Sequence, residues 1–409
     1  MKKMKNNGNI ERISPINENC FFGYYDLQTW NEKGNKHLFH KVKRMDLMPK
    51  EGDKAEICVY NRQNNSYEVI DETEAWCFQQ GSLLQWLGEN SNEDVIYNVK
   101  INHENHSGDL EARYQAKIKS TITGKERFLD RPIANIDKSG RYGLSINFSR
   151  MYDYRPGYGY VGLADPNRNI ERPSNDGVYL LDLQEGNSKL ILSLEQIGEF
   201  LDASEALCNE GKLLINHINF NTDGSRFVML VRSFKRSADP LNPWITAVVT
   251  ANKDGSGMHL LNNYVYASHY FWKDASSLLI YARNNEGNQL YELKDQTDEY
   301  KVLNQNFFKA DGHCSYSPNR EWVLYDSYPD ADGYKDLYLY HLEKGSGVTL
   351  GKFYSTPVSQ SDLRCDLHPR WLNTMESRRS TIISFDSTHE GYRGVYLMDI
   401  EKVMEEFYE

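Results

Sequence analysis

Apolar stretches of four to seven residues, rich in Val, Ile, Leu, Phe and Tyr and bounded by Gly, Asn, Asp or Pro, recur along the chain. That spacing predicts many short strands and few helices. The stretches are grouped. Seven times an aromatic or apolar anchor is followed by a polar turn and then a strand-like run, the anchors being Trp30, Trp86, Ile136, Phe220, Trp272, Tyr316 and Trp371. A third run follows in each unit (AEICVY, EARYQAK, GVYLLDL, ITAVVTA, QLYEL, DLYLYHL, GVYLMDI), and a fourth in the first six, such as YEVIDE and VTLGKF. Four antiparallel strands repeated seven times predict an all-β, seven-bladed β-propeller occupying residues 1–409 as a single domain. The rival, a pair of β-sandwiches, explains neither the fixed order nor the count. The seventh unit ends after GVYLMDI and KVMEEFYE, so its outer strand is expected from the N-terminal segment around Ile10 to Ile16, closing the ring.

One anchor-to-anchor interval is long. Residues 149–176, SRMYDYRPGYGYVGLADPNRNIERPSND, form an insertion between the second and third strands of the third unit. Loops at that position lie on the face where the innermost strands begin, so the insertion is expected to overhang the channel mouth. Stepping back three residues from the last four anchors, into the strands that line the channel, gives His217, His269, His313 and His368. The first three units have Leu27, Leu83 and Ile133 there. Because side chains alternate along a strand, Asp311 and Asp366, two residues before His313 and His368, are expected to face the same way. Imidazoles with carboxylates suit a divalent cation, toward the transition-metal end. A wet channel with hydrogen-bonded histidines and a metal-free acid/base site are the alternatives. Second strands return to this face and end in Arg150, Arg232, Arg283, Asp326 and Asp386; the guanidiniums of the three arginines can clamp an anion. The insertion adds Arg155, Tyr158 and Tyr160. FFGYYD and QQGSLLQW offer Tyr24, Tyr25, Asp26 and Gln80 to the same funnel, whereas His103 and His106 have no third partner.

Composition narrows the classes. Of 409 residues, 47 are basic and 58 acidic, giving a net charge of −11, which disfavours a general nucleic-acid binder. No apolar run approaches the length that spans a bilayer, so membrane insertion is not expected. The start, MKKMKNNGNIERISP, lacks the apolar stretch of a signal peptide, and six cysteines without CxxC spacing read as reduced thiols. Both imply a cytoplasmic location. The chain lacks a Gly-rich phosphate loop, a nucleophile elbow and an HExxH motif.

The segments HINFNTDGSRFVML, SHYFWKDASSLLIYA, DGHCSYSPNREWVLYDS and DLHPRWLNTMESRRSTIISFDSTHEGYRGVYLMDI resemble blades of the oligogalacturonate lyase family and related short-repeat propellers. FFGYYD, QQGSLLQW and NFSRMYDYRPGYGY resemble a bacterial branch sometimes encoded beside polysaccharide-synthesis genes. The family resemblance implies a divalent metal, manganese first, with zinc, calcium or nickel as alternatives, held by His313, His368 and Asp366. Asp366 stands where the family has a histidine, and Leu363 where its glutamine ligand is sought. It also implies His269 as the base of a β-elimination. His217 or a tyrosine is expected to assist the leaving oxygen, and Arg150, Arg155, Tyr158, Arg232 and Arg283, from the strand ends and the insertion, are the candidates to bind an anionic oligosaccharide. Two readings follow: a lyase acting on a uronic-acid-containing glycan, or a non-catalytic glycan-binding or assembly scaffold. Oligomeric state is left open by the sequence.

Overall fold

Each of the seven units pairs its strands into a four-stranded antiparallel sheet, and each sheet is a blade. The computed structural model describes residues 9–104, 110–208, 210–234, 244–263, 265–373 and 380–408; His106 lies outside them. Blade 1 comprises Asn19–Phe21, Lys36–Val42, Ala55–Asn61 and Ser66–Thr73. Blades 2 to 6 follow in chain order, each running from innermost to outermost strand. Blade 7 has only three strands from the C-terminal part, Arg370–Trp371, Ile382–Ser387 and Gly394–Asp399; its fourth is Asn9–Arg12, paired antiparallel from Asn9 opposite Asp399 to Arg12 opposite Tyr396. The ring is closed by the N-terminal strand, as its sequence predicts. Among the described residues no helix is long and apolar enough to cross a membrane.

The closure is held by more than backbone pairing. The guanidinium of Arg12 donates to the carbonyls of Ser14, Pro15, Glu18 and Arg393 and to the Tyr396 hydroxyl, and forms an ion pair with Glu390 at 2.9 Å. Between blades the cores are apolar: Trp322, Leu339, Ile383, Phe385 and Met398, for example, pack together where blades 6 and 7 meet.

The innermost strands are short and irregular, and the irregularities fall at the histidines. In blade 4 the ladder between Lys212–Phe220 and Arg226–Phe234 shifts register between Ile215 and Ile218, so His217 lies in a bulge. In blade 5 the shift between Ala267 and Tyr270 encloses His269. His313 precedes the strand Cys314–Tyr316, and His368 has φ of +43°. A bulge re-aims side chains and suspends simple alternation, which matters for the site below.

In blade 3 the second strand, Tyr142–Ser145, is followed by a helix, Phe148–Tyr154, whose N-cap Asn147 accepts from the backbone N–H of Arg150. The chain then runs through residues 155–176 to the third strand, Gly177–Asp182. All six cysteines are free and buried.

Blade 1 locks onto the loop before blade 2 through His40. Its Nδ1 donates to the carbonyl of Phe22 at 2.8 Å, so Nε2 is the acceptor for the backbone N–H of Ser82 at 3.1 Å. Gly81, at φ +58°, must be glycine, since a Cβ there would lie 2.3 Å from the imidazole. Burial pushes His40 down to about 4. The unfolded chain therefore takes up a proton near pH 6.5 that the folded protein refuses, and the contribution of His40 to stability, intact above that pH, is lost as pH falls toward 4. The expected loss is roughly 3 kcal/mol. Urea midpoints measured from pH 7 to pH 4 should fall less steeply for His40→Gln than for the parent protein.

Candidate active site around the channel histidines

The start of blade 1 does not stay in its strand. After Phe21 the chain leaves the sheet, and the Asp386 carboxylate of blade 7 holds it there by accepting from the N–H groups of Phe22 and Gly23. Tyr24 and Tyr25 then project across the channel. The hydroxyl of Tyr25 accepts from the backbone N–H of Tyr270 in blade 5 (2.9 Å) and donates to its carbonyl (2.7 Å). Tyr24 lies edge-on to His217 and His368, with ring centroids 4.8 and 5.2 Å away. These tyrosines divide the channel.

All four histidines gather against this partition, each no more than 5% exposed. Three are paired with carboxylates. His217 Nε2 lies 2.5 Å from Asp26 Oδ2, which also accepts from Asn219, and its ring stacks on Tyr270 at 4.2 Å. His269 Nδ1 lies 3.2 Å from Asp311 Oδ1, while Asp311 Oδ2 accepts from the Tyr266 hydroxyl. His313 Nδ1 sits between the two oxygens of Asp326, at 2.9 and 3.0 Å. Its proton is thereby fixed on Nδ1, and Nε2 presents a lone pair toward His368 Nε2, 3.1 Å away. Burial, reinforced by the neighbouring imidazoles, holds His313 and His368 well below the usual histidine range, so both are neutral. The same burial raises Asp326 to about 7.

His313, His368 and Asp366 form a group whose ligand atoms lie within 4.8 Å of one another. The two imidazoles fit a divalent cation. They are neutral, their nitrogens converge, and Asp326 orients one ring from behind as carboxylates do for metal-bound histidines. Asp366 enters the group already engaged: Lys335 Nζ lies 2.8 Å from Oδ1, and Arg364 Nε is 2.7 and 2.8 Å from the two oxygens. Burial works to raise its pKa, yet Arg364 and Lys335 hold the carboxyl well below the ordinary range. It is a fixed carboxylate with much of its charge spent on two cations of the protein itself.

The predicted arginines divide sharply. Arg232 is 6% exposed and has no carboxylate in ion-pair range among the described residues; its Nε has no acceptor. Burial, with Arg155 beside it, brings the guanidinium down to about 9. Arg155 and Arg232 flank the Trp244 ring at 4.8 and 5.1 Å; Arg155 also stacks on Tyr158 at 3.9 Å and donates to Asn216. Arg150 differs. The helix that interrupts blade 3 carries it off the strand end where the sequence places it, and all five of its N–H donors are taken: by Leu213, Asp165, Asn167, Ile170 and Glu171. It staples the insertion and has no donor left for a substrate. Arg283 is exposed, donates to Asn288, and stays outside the buried group.

The insertion closes over the histidines. Gln79 in the loop before blade 2 donates its backbone N–H to Gly157 and its side-chain amide to the carbonyls of Asp362 and Arg364. Gly157 packs so closely on Asp362 that a Cβ would lie 2.6 Å from it. Elements of blades 2, 3 and 7 thus meet over the channel, with Tyr158 buried beneath them at 4% exposure.

No family model matches the chain, and no curated protein matches it in sequence. Its fold is that of solved oligogalacturonate lyases. A structure described as oligogalacturonate lyase in complex with manganese superposes with a TM-score of 0.66 at 13% identity, covering 97% of this chain and 95% of that one. The oligogalacturonate lyase from Vibrio parahaemolyticus gives 0.64 at 12% identity, covering 98% and 97%.

The contrast between the two arginines is measurable. Arg150→Met leaves Asp165 buried without its cation and should cost about 3–5 kcal/mol in urea unfolding. Arg283→Met should stay within about 0.5 kcal/mol of the parent protein.

Proposed function

We propose that the protein is a metal-dependent lyase that breaks an anionic, uronic-acid-containing oligosaccharide by β-elimination. The observation that carries this reading is Arg232. A buried guanidinium with no carboxylate beside it among the described residues is costly, and here it lies among Tyr24, Tyr158 and Tyr266, the last two hydrogen bonds from His269 through Asp311. A carboxylate-bearing ligand supplies the missing charge. The likeness to oligogalacturonate lyases supports the reaction class through the fold alone.

Arg232 and Arg155 pair with the C6 carboxylate and lower the barrier to losing the C5 proton, because charge moves onto that carboxylate as the proton leaves. His269, with Nδ1 turned to Asp311, accepts the proton on Nε2. The electrons of the C5–H bond form the C4=C5 double bond, and the C4–O bond breaks. His217, when protonated and braced by Asp26, donates from Nδ1 to the departing oxygen; that nitrogen is buried with no protein partner among the described residues. A divalent cation, manganese first and zinc, calcium or nickel as alternatives, is expected on His313 and His368 with Asp366, where it supplies further positive charge against the carboxylate.

The pairing of Asp366 with Lys335 and Arg364 favours a second reading. With two cations already on that carboxylate, the site binds an anionic glycan without a metal and without turnover. The test is elemental analysis of the purified protein beside His313→Ala/His368→Ala, followed by incubation with uronate oligosaccharides. The lyase reading expects near-stoichiometric metal lost in the double variant and an ultraviolet-absorbing 4,5-unsaturated product. It also expects turnover to drop about 10²–10⁴-fold in His269→Ala. Saturable binding with neither metal nor product moves the assignment to the glycan-binding propeller.

A further inference from the structure

Lys335 is a buried cation for which the proposed chemistry has no use. It stands in the third strand of blade 6, Tyr334–His341, and is 1% exposed. An ammonium so placed is costly unless it meets a counter-charge and acceptors. Lys335 meets one of each, Asp366 Oδ1 at 2.8 Å and the carbonyl of Cys365 at 2.6 Å, both in the chain that leads to the innermost strand of blade 7. The same carboxylate receives Arg364 Nε on both oxygens, so each oxygen of Asp366 already carries a cation of the protein. The other channel carboxylates are treated differently. Asp26, Asp311 and Asp326 pair with imidazoles, and among the described residues no lysine or arginine lies in ion-pair range of them. Fixed cations are placed on the one carboxylate that shares a group with His313 and His368.

That placement bears on how the group takes up an ion. The two imidazoles are neutral, so Asp366 brings the only full negative charge among the three candidate ligands. An ammonium on the same carboxylate cancels much of its attraction for a divalent ion and repels the ion as well, and burial strengthens both effects. The two cations are held unequally. Arg364 contacts both oxygens and lies over the Tyr328 ring at 4.6 Å, whereas Lys335 is a point charge on a flexible stem with one contact to the carboxylate. We propose that Lys335 is a built-in competitor for the cation site: its ammonium holds Asp366 while the site is empty, and a divalent ion reaches that carboxylate only by displacing it. The site then keeps its shape without metal and binds metal less tightly than its three ligands alone allow. The proposal rests on the reading of His313, His368 and Asp366 as a cation site, and it requires no turnover.

The experiment is calorimetric titration of the metal-stripped, full-length protein with manganese chloride and with zinc chloride. The parent is compared with Lys335→Met, Lys335→Gln and Lys335→Gln/Asp366→Asn, and His313→Ala/His368→Ala is the control without a site. Both single variants should bind at least about tenfold more tightly than the parent. A merely structural lysine gives the opposite result, since loosening the site weakens binding. The gain should be absent from Lys335→Gln/Asp366→Asn, because it runs through that carboxylate. A crystal structure of the parent at saturating manganese should show Lys335 Nζ withdrawn from Asp366, and this measurement decides the matter if neither Lys335 variant folds. Affinity unchanged or lower in both single variants, a gain that survives Asp366→Asn, a metal-bound parent with Nζ still 2.8 Å from Oδ1, or no metal on parent and variants alike would overturn the proposal. The lyase reading fails separately, on the absence of an unsaturated product. A parent that holds metal and makes that product, while Lys335→Gln binds metal no more tightly, sinks the competitor alone.

Discussion

The hydrogen bonds between the Tyr25 hydroxyl and both backbone groups of Tyr270 tie blade 1 to blade 5 across the axis of the ring. An open propeller channel is filled with water, and histidines lining it are hydrated and titrate normally. With Tyr24 and Tyr25 laid across it, the channel becomes two compartments of different chemistry. The compartment toward the insertion is buried, so the imidazoles of His313 and His368 are held neutral and each charge is felt over a longer distance. The opposite compartment stays open. Asp26 stands at the partition, with one oxygen on His217 and Asn219.

Burial explains the carboxylates. A buried imidazole must place its ring N–H on an acceptor, and a bare aspartate in the same environment must find donors. Asp26, Asp311 and Asp326 each solve both problems at once with one histidine. The arrangement also orders the histidines by the nitrogen that faces away from its carboxylate: Nε2 of His269, Nε2 of His313, which meets His368, and Nδ1 of His217. Arg232 breaks the pattern, being a buried ion with no counter-ion among the described residues, and that imbalance is why we propose the upper compartment as a site for an anion.

Much of this was legible in the chain. Seven anchors with their turns and strand runs define the blades because a blade's strands are local in sequence, and the deficit of one strand at the C-terminal end pointed to the N-terminal segment. The four histidines were legible as one register for the same reason. What alternation could not reveal was where each neighbour points. Asp311 was expected beside His313 but pairs with His269 of the preceding blade, and Asp366 is engaged by Lys335 and Arg364; both lie in irregular chain before strands that begin only at Cys314 and Arg370, where the two-residue period does not apply. Arg150 was placed by counting to the end of a strand that stops earlier, at Ser145, where a helix begins its own geometry. Partners such as Asp326 for His313, or Tyr25 for Tyr270, depend on contacts across the ring that no local spacing encodes.

The strand that closes the ring has a history as well as a position. Asn9–Arg12 is synthesised well before its partner Gly394–Asp399; Arg12 and the Tyr396 it contacts are 384 residues apart. At ordinary rates of translation the interval is roughly 20–80 s. Throughout it the early strand is an orphan edge, able to pair with whatever strand it meets, including the same segment of another nascent chain. Two acidic or basic side chains in its four residues, Glu11 and Arg12, discourage such pairing. The molecule is therefore exposed to domain exchange and to chaperone capture during its birth in a way the finished ring conceals, and its yield in a cell depends on how long that edge stays uncommitted.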